Sequence, residues 1–586
     1  MFQIRWIWKN MDEEYRKKYL VGLLISLVTT VMGLINPFLS AELVDEVIVN
    51  HNVDPMLRLL ITMLVVVCVQ QGLRYLMMIW FEGSAQNVVY NMKSRLFENL
   101  QHQEMAFFDR HRAGDLMTRL TGDLDWVRHF TTHIVFNLME CFVRFGSTLV
   151  FLMFINTKLT LALLAAAPAL LVITFVYSKK IRPLFMDLRE RSAALNTAAQ
   201  ENIAGNKVVK AFAREEYEKN KFREHNKAFH DANLNINERW LKFYPGIDLL
   251  ANAMTVITIF FGAFLIMEGE LTFGGLSIFT SLSWALSSPM STLGNYLNDL
   301  QRFASSANKV IEIYYARPSI IDRDDAIPHP RADVKGKVEF RNVDFAYGRE
   351  KVLEDVSFTV EPGKTLAIMG STGSGKTTII NLLARLYDTK NGAVLVDDCD
   401  VHLWRINELR RCIGNATQDV FLFSDTVSSN IAFGNPGLSQ EQIADFARRA
   451  GAAEFIEKMP EGYETVVGER GVGLSGGQRQ RVALARALAM EAPIVVLDDT
   501  TSALDSETEQ YIREQLNELP YACTKIIVAQ RISSVKAADE ILVLDKGRIA
   551  ERGTHDELIA LGGLYYETYC LQNDIPYVAA DQKGGE

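Results

Sequence analysis

Gly370-Ser371-Thr372-Gly373-Ser374-Gly375-Lys376-Thr377 fits the pattern G-x-x-x-x-G-K-[ST] and decides the fold of the second half of the chain. The run Thr365–Met369 before it reads as a buried strand, and Thr378–Leu386 after it reads as a helix, which is the context such a loop requires. Its glycines let backbone amides close around phosphate oxygens. Lys376 brings a positive charge, Thr377 can ligate Mg²⁺, and the following helix N-terminus adds a favourable dipole. Further on, Ile494-Val495-Val496-Leu497 reads as a second buried strand and ends in Asp498. A carboxylate at such a strand tip can hold the Mg²⁺ that accompanies a nucleotide.

Outward from these motifs, short β-rich runs alternate with helical stretches. They include Val338–Phe340, Ala393–Val396, Lys525–Val528 and Glu540–Leu544. The alternation predicts an α/β domain with a largely parallel sheet over residues 337–575, followed by a polar tail at 576–586. A polar, proline-bearing linker at 317–336 precedes it. Residues 20–316 differ in kind. Six apolar windows lie near Leu20–Leu39, Met56–Phe81, Ile134–Ile155, Leu159–Tyr177, Ile247–Met267 and Phe273–Leu293. Each approaches the roughly 20 residues needed to cross the hydrocarbon core as a helix. The two long connections, Glu82–His133 and Ser178–Gly246, are rich in Lys and Arg, whereas the three short ones carry Lys158 alone. Positive-inside bias therefore assigns the long connections, both termini and the α/β domain to the cytoplasm. Both long connections have helical composition, so the spans are expected to continue below the bilayer as hairpins, with coupling tips near Gly114–Arg119 and Gly205–Phe212.

Composition narrows the function. The net charge of −10 comes without a basic stripe, so nucleic acid is not an expected partner. The six cysteines are scattered without a C-x-x-C pair and read as reduced, mostly buried thiols. Residues 1–19 mix Trp6 and Trp8 with Lys9, Arg16, Lys17 and Lys18. They read as an amphipathic segment at the membrane surface rather than a cleaved leader. Arg74, Glu140, Arg144 and Asp248 lie in or near the spans. Charge there faces a cavity or a partner; Glu140 and Arg144, spaced i,i+4, suit a local ion pair. Cargo binding is the sharper reading of these residues, and of Trp284, Asn295 and Asn298 on the last span.

Leu474-Ser475-Gly476-Gly477-Gln478 resembles the signature motif of ABC ATPases and stands just before the Asp498 strand, as in that family. Gln418 matches the family's Q-loop, which reaches the Mg²⁺, Tyr347 its adenine-stacking aromatic, and Ser502-Ala503-Leu504-Asp505 its D-loop. Thr465–Gly471 is similar to the loop by which exporters sense the membrane domain. Phe107-Phe108-Asp109 and Gly114-Asp115-Leu116 resemble the first intracellular loop of exporters. The resemblance covers nearly the whole chain. It implies an exporter-type half-transporter of the ABC superfamily: a six-span α-helical transmembrane domain followed by an α/β P-loop ATPase domain. It further implies MgATP held by Tyr347, the loop Gly370–Thr377, Thr378 and Asp498. In this family two such domains sandwich two nucleotides, each between one chain's phosphate loop and the other's signature motif and D-loop Asp505. A second half-transporter, the lipid bilayer of the cell membrane and an amphipathic cargo are the implied partners.

Two positions depart from the family's active pattern. The residue after Asp498 is Asp499 where the family usually has Glu, and the switch position is Gln530 where it usually has His. Aspartate is one methylene shorter, which draws its carboxylate back by roughly 1.5 Å from a water that must lie within hydrogen-bond reach. A misplacement of about 1 Å in such a site can cost on the order of 10²-fold in rate. Gln530 can donate a hydrogen bond but cannot become cationic. The chain thus resembles the degenerate-site subunit of heterodimeric bacterial multidrug exporters. Its own site is expected to bind MgATP and turn over slowly, and its signature motif to serve the partner's site. The alternatives are a homodimer with Asp499 as working base, and a nucleotide-gated channel or regulatory subunit. Drugs, lipids and peptides all fit as cargo.

Overall fold

The computed structural model describes residues 2–468, 471, 473–500 and 504–576. The expected tail beyond residue 576, Ser502 and Ala503 of the D-loop-like run, and Glu469 and Arg470 of the sensing loop lie outside the described residues. The chain forms two compact units. One comprises Met1–His102 and Arg112–Ala316; the other comprises Gln103–His111 and Arg317–Glu586.

The first unit is helical throughout its regular structure. A short helix Phe2–Lys9 buries Trp6 and Ile7, and Trp6 meets Tyr314 edge-on at 5.4 Å. The helices Glu13–Met32, Ile35–Leu43, Met56–Gln101, Val135–Ile155, Thr157–Ala204, Glu215–Met267 and Phe273–Tyr314 carry all six apolar windows. Among the described residues, three stretches, Glu13–Val49, Met56–Gln101 and Ala113–Ile155, are long and apolar enough to cross a membrane; Asn252–Met267 and Phe273–Leu286 are shorter apolar stretches. Side chains point the wrong way for a protein in water. Leu64 is 64%, Phe154 86% and Phe260 79% exposed, while Thr148, Thr160, Thr258 and Ser26 are fully buried. Apolar groups outside and hydroxyls inside suit a hydrocarbon surround, where a helix satisfies its own backbone. The hydroxyls of Thr160 and Thr258 donate to the carbonyls of Asn156 and Met254 one turn back.

The helices extend far beyond hydrocarbon thickness. Thr157–Ala204 spans 48 residues and Glu215–Met267 spans 53. At 1.5 Å per residue each is about 70–80 Å long, so the long connections are helical hairpins as expected. The packing differs from expectation in one respect. Gly114–Arg119 stays in the helical unit, and the part of that loop that joins the second unit is Gln103–His111. The six thiols are free, as expected: Cys412, Cys523 and Cys570 are buried, Cys141 and Cys399 half-buried, and Cys68 is exposed on its helix.

The second unit holds two sheets. Strands β1 (Val338–Tyr347), β2 (Glu350–Val360), β3 (Thr365–Gly370), β4 (Asn391–Val396), β5 (Cys399–Asp400), β6 (Ile413–Ala416), β7 (Ile494–Asp498), β8 (Thr524–Val528), β9 (Glu540–Asp545) and β10 (Arg548–Gly553) divide between them. The six-stranded sheet runs β10-β9-β3-β8-β7-β6 and is parallel except for the β9–β10 hairpin. A separate four-stranded sheet, β2-β1-β4-β5, is antiparallel throughout. Val338–Phe340 and Ala393–Val396 belong to this second sheet, not to the parallel one. β3 and β7 sit inside the parallel sheet, flanked on both sides. Their residues are buried on both faces, hence the unbroken apolar runs. Packed between elements of both sheets, Trp404 is fully buried and stacks on His329 at 3.9 Å. Trp404→Ala should destabilise this unit by about 3–5 kcal/mol, read as a lowered denaturation midpoint of the full chain.

Candidate functional site

β3 delivers the chain to the phosphate loop. At its end Gly370 adopts φ 149°, and a Cβ there would come within 2.3 Å of the Leu544 carbonyl oxygen. Gly375, at φ 102°, opens the helix Lys376–Leu383; a Cβ there would meet Leu353 Cδ2 at 2.5 Å. No other residue type fits either position without a shift. The Lys376 ammonium, 9% exposed, donates to the carbonyls of Gly370 at 2.8 Å and Ser371 at 2.7 Å. Burial lowers the pKa of Lys376, and Asp498 and Asp499 oppose the shift. The buried Ser374 hydroxyl has no partner.

β7 ends in Asp498, which is buried and accepts a hydrogen bond from the Thr377 hydroxyl at 3.0 Å. Burial raises the Asp498 carboxyl above its ordinary range; the Thr377 hydrogen bond opposes this and Asp499 adds to it. Asp499 takes a left-handed conformation, φ 49°, with its amide bonded to the Val528 carbonyl at 2.8 Å. Backbone strain of this kind at a site persists only where surrounding contacts hold it.

These groups share a cleft of about 410 Å³. Of the residues singled out in the sequence, Tyr347, Thr372, Gly373, Gly375, Lys376, Thr377, Thr378, Gln418, Asp498, Asp499 and Gln530 line it. Glu350 and Val352 line it too, although no pattern in the sequence marked them. The donor set fits a nucleoside triphosphate with Mg²⁺. An aromatic ring, loop glycines, a buried lysine and a Thr–Asp pair line one cleft.

Leu474–Gln478 does not line that cleft. Ser475 caps the helix Gly476–Leu488, accepting from the Gln478 amide at 3.3 Å, while the Gln478 side chain accepts from the Ser475 amide at 2.9 Å. This capping box fixes the segment and leaves Ser475 and Gly476 exposed at a helix N-terminus. Arg479 and Arg481 brace it, donating to the carbonyls of Leu474 at 3.1 Å and Gly451 at 2.8 Å. Asp505 caps the helix Ser506–Asn517, accepting from the Thr508 amide and hydroxyl, each at 2.9 Å.

The helical unit holds a cavity of its own, about 240 Å³, lined by Gln70, Arg74, Glu140, Arg144, Thr148 and Trp284 among others. Arg144 donates to Glu140, the local ion pair expected from their spacing, and lies over the Trp284 ring at 5.4 Å. Asp248, Asn295 and Asn298 are exposed and do not line it.

A lipid-facing helical unit fused to a phosphate-loop α/β unit defines a nucleotide-driven membrane transporter. Residues 19–290 match the ABC transporter transmembrane region, and residues 353–502 match the ABC transporter ATP-binding family. The ABC transporter ATP-binding protein YknU of Bacillus subtilis (strain 168) is 35% identical over 560 residues, 95% of either chain. An ATP-dependent lipid A-core flippase of Syntrophus aciditrophicus (strain SB) is 34% identical, covering 96% of this chain and 93% of that one. A bacterial Atm1-family ABC exporter solved with ATP bound superposes with a TM-score of 0.79 at 27% identity, covering 96% of this chain and 99% of that one. The chain belongs to the ABC transporter superfamily and is of the exporter type.

The raised carboxyl of Asp498 gives a signed prediction. Its folded pKa lies above the unfolded value, so the ionised form weakens the nucleotide-free fold at neutral pH, and that cost fades as pH falls toward the ordinary carboxylate range. Asp498→Asn should raise the nucleotide-free thermal midpoint at pH 7, with the gain shrinking as pH falls. The same variant should abolish the Mg²⁺-dependent part of ATP binding, measured by titration with and without chelator.

Proposed function

We propose that this chain is one subunit of a heterodimeric ATP-driven exporter of amphipathic cargo. Its own cleft holds MgATP and hydrolyses it slowly, and its signature segment completes the site of a partner half-transporter. The observation that carries this reading is one cleft in which the binding groups are complete and the water-activating groups are not. Lys376, Thr377 and Asp498 line the cleft together with Asp499 and Gln530, and this supports the reading.

The residues divide the work. Tyr347 stacks on the base. The loop Gly370–Thr377 with Thr378 cradles the phosphates, and Lys376 neutralises their charge. Thr377, Asp498 and Gln418 hold the Mg²⁺, which when bound draws charge from the phosphate oxygens. Asp499 orients water from too far back. Gln530 donates a hydrogen bond toward the terminal phosphate but supplies no charge. Leu474–Gln478, held by its capping box with Ser475 and Gly476 exposed outside the chain's own cleft, is presented to the partner's nucleotide together with Asp505.

Exposed apolar groups support an assembly. Val208 and Phe212 stand bare at the second hairpin tip, Phe212 at 75% exposure. In the other unit Phe421, Phe423 and Phe433 are exposed and in ring contact, with centroids 5.2 and 4.7 Å apart. Aromatic clusters of this kind belong to covered surfaces. Cargo with a polar part and an apolar body suits the Arg74–Glu140–Arg144 cavity among lipid-facing helices. A lipid A-core flippase and a putative multidrug export protein of Bacillus subtilis, 32% identical, are relatives whose cargo is of that broad type. The ATP-binding unit and both termini face the cytoplasm, and the assembly sits in the cell membrane.

Purified alone, the chain should hydrolyse ATP slowly; with a co-encoded half-transporter carrying Glu and His at the matching positions, turnover should be brisk. In the complex with the partner's own site inactivated, Asp499→Glu with Gln530→His should raise turnover at this chain's cleft by about tenfold or more. Brisk turnover by the chain alone would instead assign it to a homodimer with Asp499 as working base.

A further inference from the structure

The phosphate-loop helix ends at a tight turn, Arg385–Asp388, that is held from several sides. Arg385 sits at φ 45°, its guanidinium bonded to Asp388 at 3.1 Å and to the Ile321 carbonyl at 3.3 Å. Arg410 grips the same turn through the carbonyls of Ala384 and Arg385, at 3.2 and 2.9 Å. Tyr387 projects from this turn. Its ring meets Tyr347 edge-on, centroids 5.1 Å apart at 89°, and Phe345 at 5.8 Å. Its hydroxyl donates to Asp109 Oδ2 at 2.6 Å.

Asp109 lies on the helix Met105–Arg110, within the stretch Gln103–His111 that packs with the ATP-binding unit although it interrupts the helical one in sequence. The other end of this helix is anchored too. Glu104, at its N-cap, accepts from the amides of Ser319 at 2.6 Å and Ile320 at 3.2 Å, and from the Ser319 hydroxyl. One of its anchors is therefore a linker segment, and the other is an aromatic in edge contact with Tyr347. Tyr347 is itself tied to the phosphate-loop helix, its hydroxyl accepting from Asn381 at 3.4 Å and Thr378 at 3.5 Å.

We propose that Tyr387 is a positioning residue that reports base occupancy of the nucleotide cleft to the helix Met105–Arg110. The contact with the Tyr347 ring is the input, and the hydrogen bond to Asp109 is the output. The inference rests on the reading of Tyr347 as the base-stacking aromatic. A base on Tyr347 fixes that ring, the fixed ring restricts Tyr387, and the hydroxyl then holds Asp109 in one geometry. The bond has the length of a strong charge-assisted contact. Burial and the Asp109 carboxylate both push the Tyr387 phenol pKa upward, so the hydroxyl keeps its proton at any cytoplasmic pH. A phosphate ligand without a base fills the loop but leaves Tyr347, and hence this route, unengaged.

Hydrogen exchange on the full-length chain in lipid nanodiscs tests it. MgATP should slow exchange at residues 370–378 and, by about tenfold, at residues 103–111, the scale of one hydrogen bond to a charged group. Magnesium tripolyphosphate should protect residues 370–378 alone. Tyr387→Phe, which keeps the ring, should retain the protection of 370–378 and lose the ATP-dependent protection of 103–111. Asp109→Ala should reproduce that loss from the other side, and Asp109→Asn, which still accepts a hydrogen bond, should restore part of it. A merely structural role would change exchange at 103–111 equally with and without nucleotide. Full ATP-dependent protection of 103–111 in Tyr387→Phe, or protection there by tripolyphosphate, would overturn the proposal. No protection of 370–378 by MgATP would overturn the nucleotide reading itself, and this inference with it.

Discussion

A backbone inside hydrocarbon must satisfy every N–H and C=O within its own segment, and the architecture of this chain follows from that constraint. The unit with outward-facing Leu64, Phe154 and Phe260 contains no strand among its described residues. Gripping a triphosphate requires the opposite of a helix: left-handed glycines, free amides and a buried cation with loop carbonyls around it. Gly370, Gly375 and Lys376 supply these only in the second unit. Transport chemistry and transport path are thus divided between two kinds of backbone, and the chain itself must link them.

The stretch Gln103–His111 belongs by packing to the ATP-binding unit and by sequence to a loop between membrane-crossing helices. Glu104 binds it to Ser319, the start of the linker, and Asp109 binds it to Tyr387. On the helical side Asn99 donates to the carbonyls of Ile313 at 2.6 Å and Ala316 at 3.0 Å, holding the ends of two long helices together. In the cleft Lys376 and Asp498 are buried, while Asp499 is held in a left-handed backbone conformation.

Much of this was legible in the sequence because the physics is local. A phosphate loop needs its glycines and lysine at fixed spacing, a buried parallel strand needs an unbroken apolar run, and a span needs about 20 apolar residues. The antiparallel sheet was not legible. Val338–Phe340 and Ala393–Val396 carry the same β-rich composition as the parallel strands, and pairing partners are a long-range property. The docking segment was misplaced for a similar reason. Gly114–Arg119 has the charge and turn residues of a tip, but what seats Gln103–His111 is tertiary: Glu104 on the linker and Asp109 on Tyr387. Tyr387 itself sits in an unremarkable run, Leu386-Tyr387-Asp388, and only its ring contact with Tyr347 distinguishes it. Asp499 and Gln530 were legible as departures from a pattern, and the fold brings both to the same cleft.

The central proposal is that this chain's cleft binds MgATP and hydrolyses it slowly. The most direct measurement is the identity of the nucleotide that stays with this chain after the assembled transporter has turned over MgATP and been rapidly desalted. The account predicts intact ATP, exchanging far more slowly than the complex turns over. ADP on this chain, formed at the rate of steady-state turnover, would contradict it.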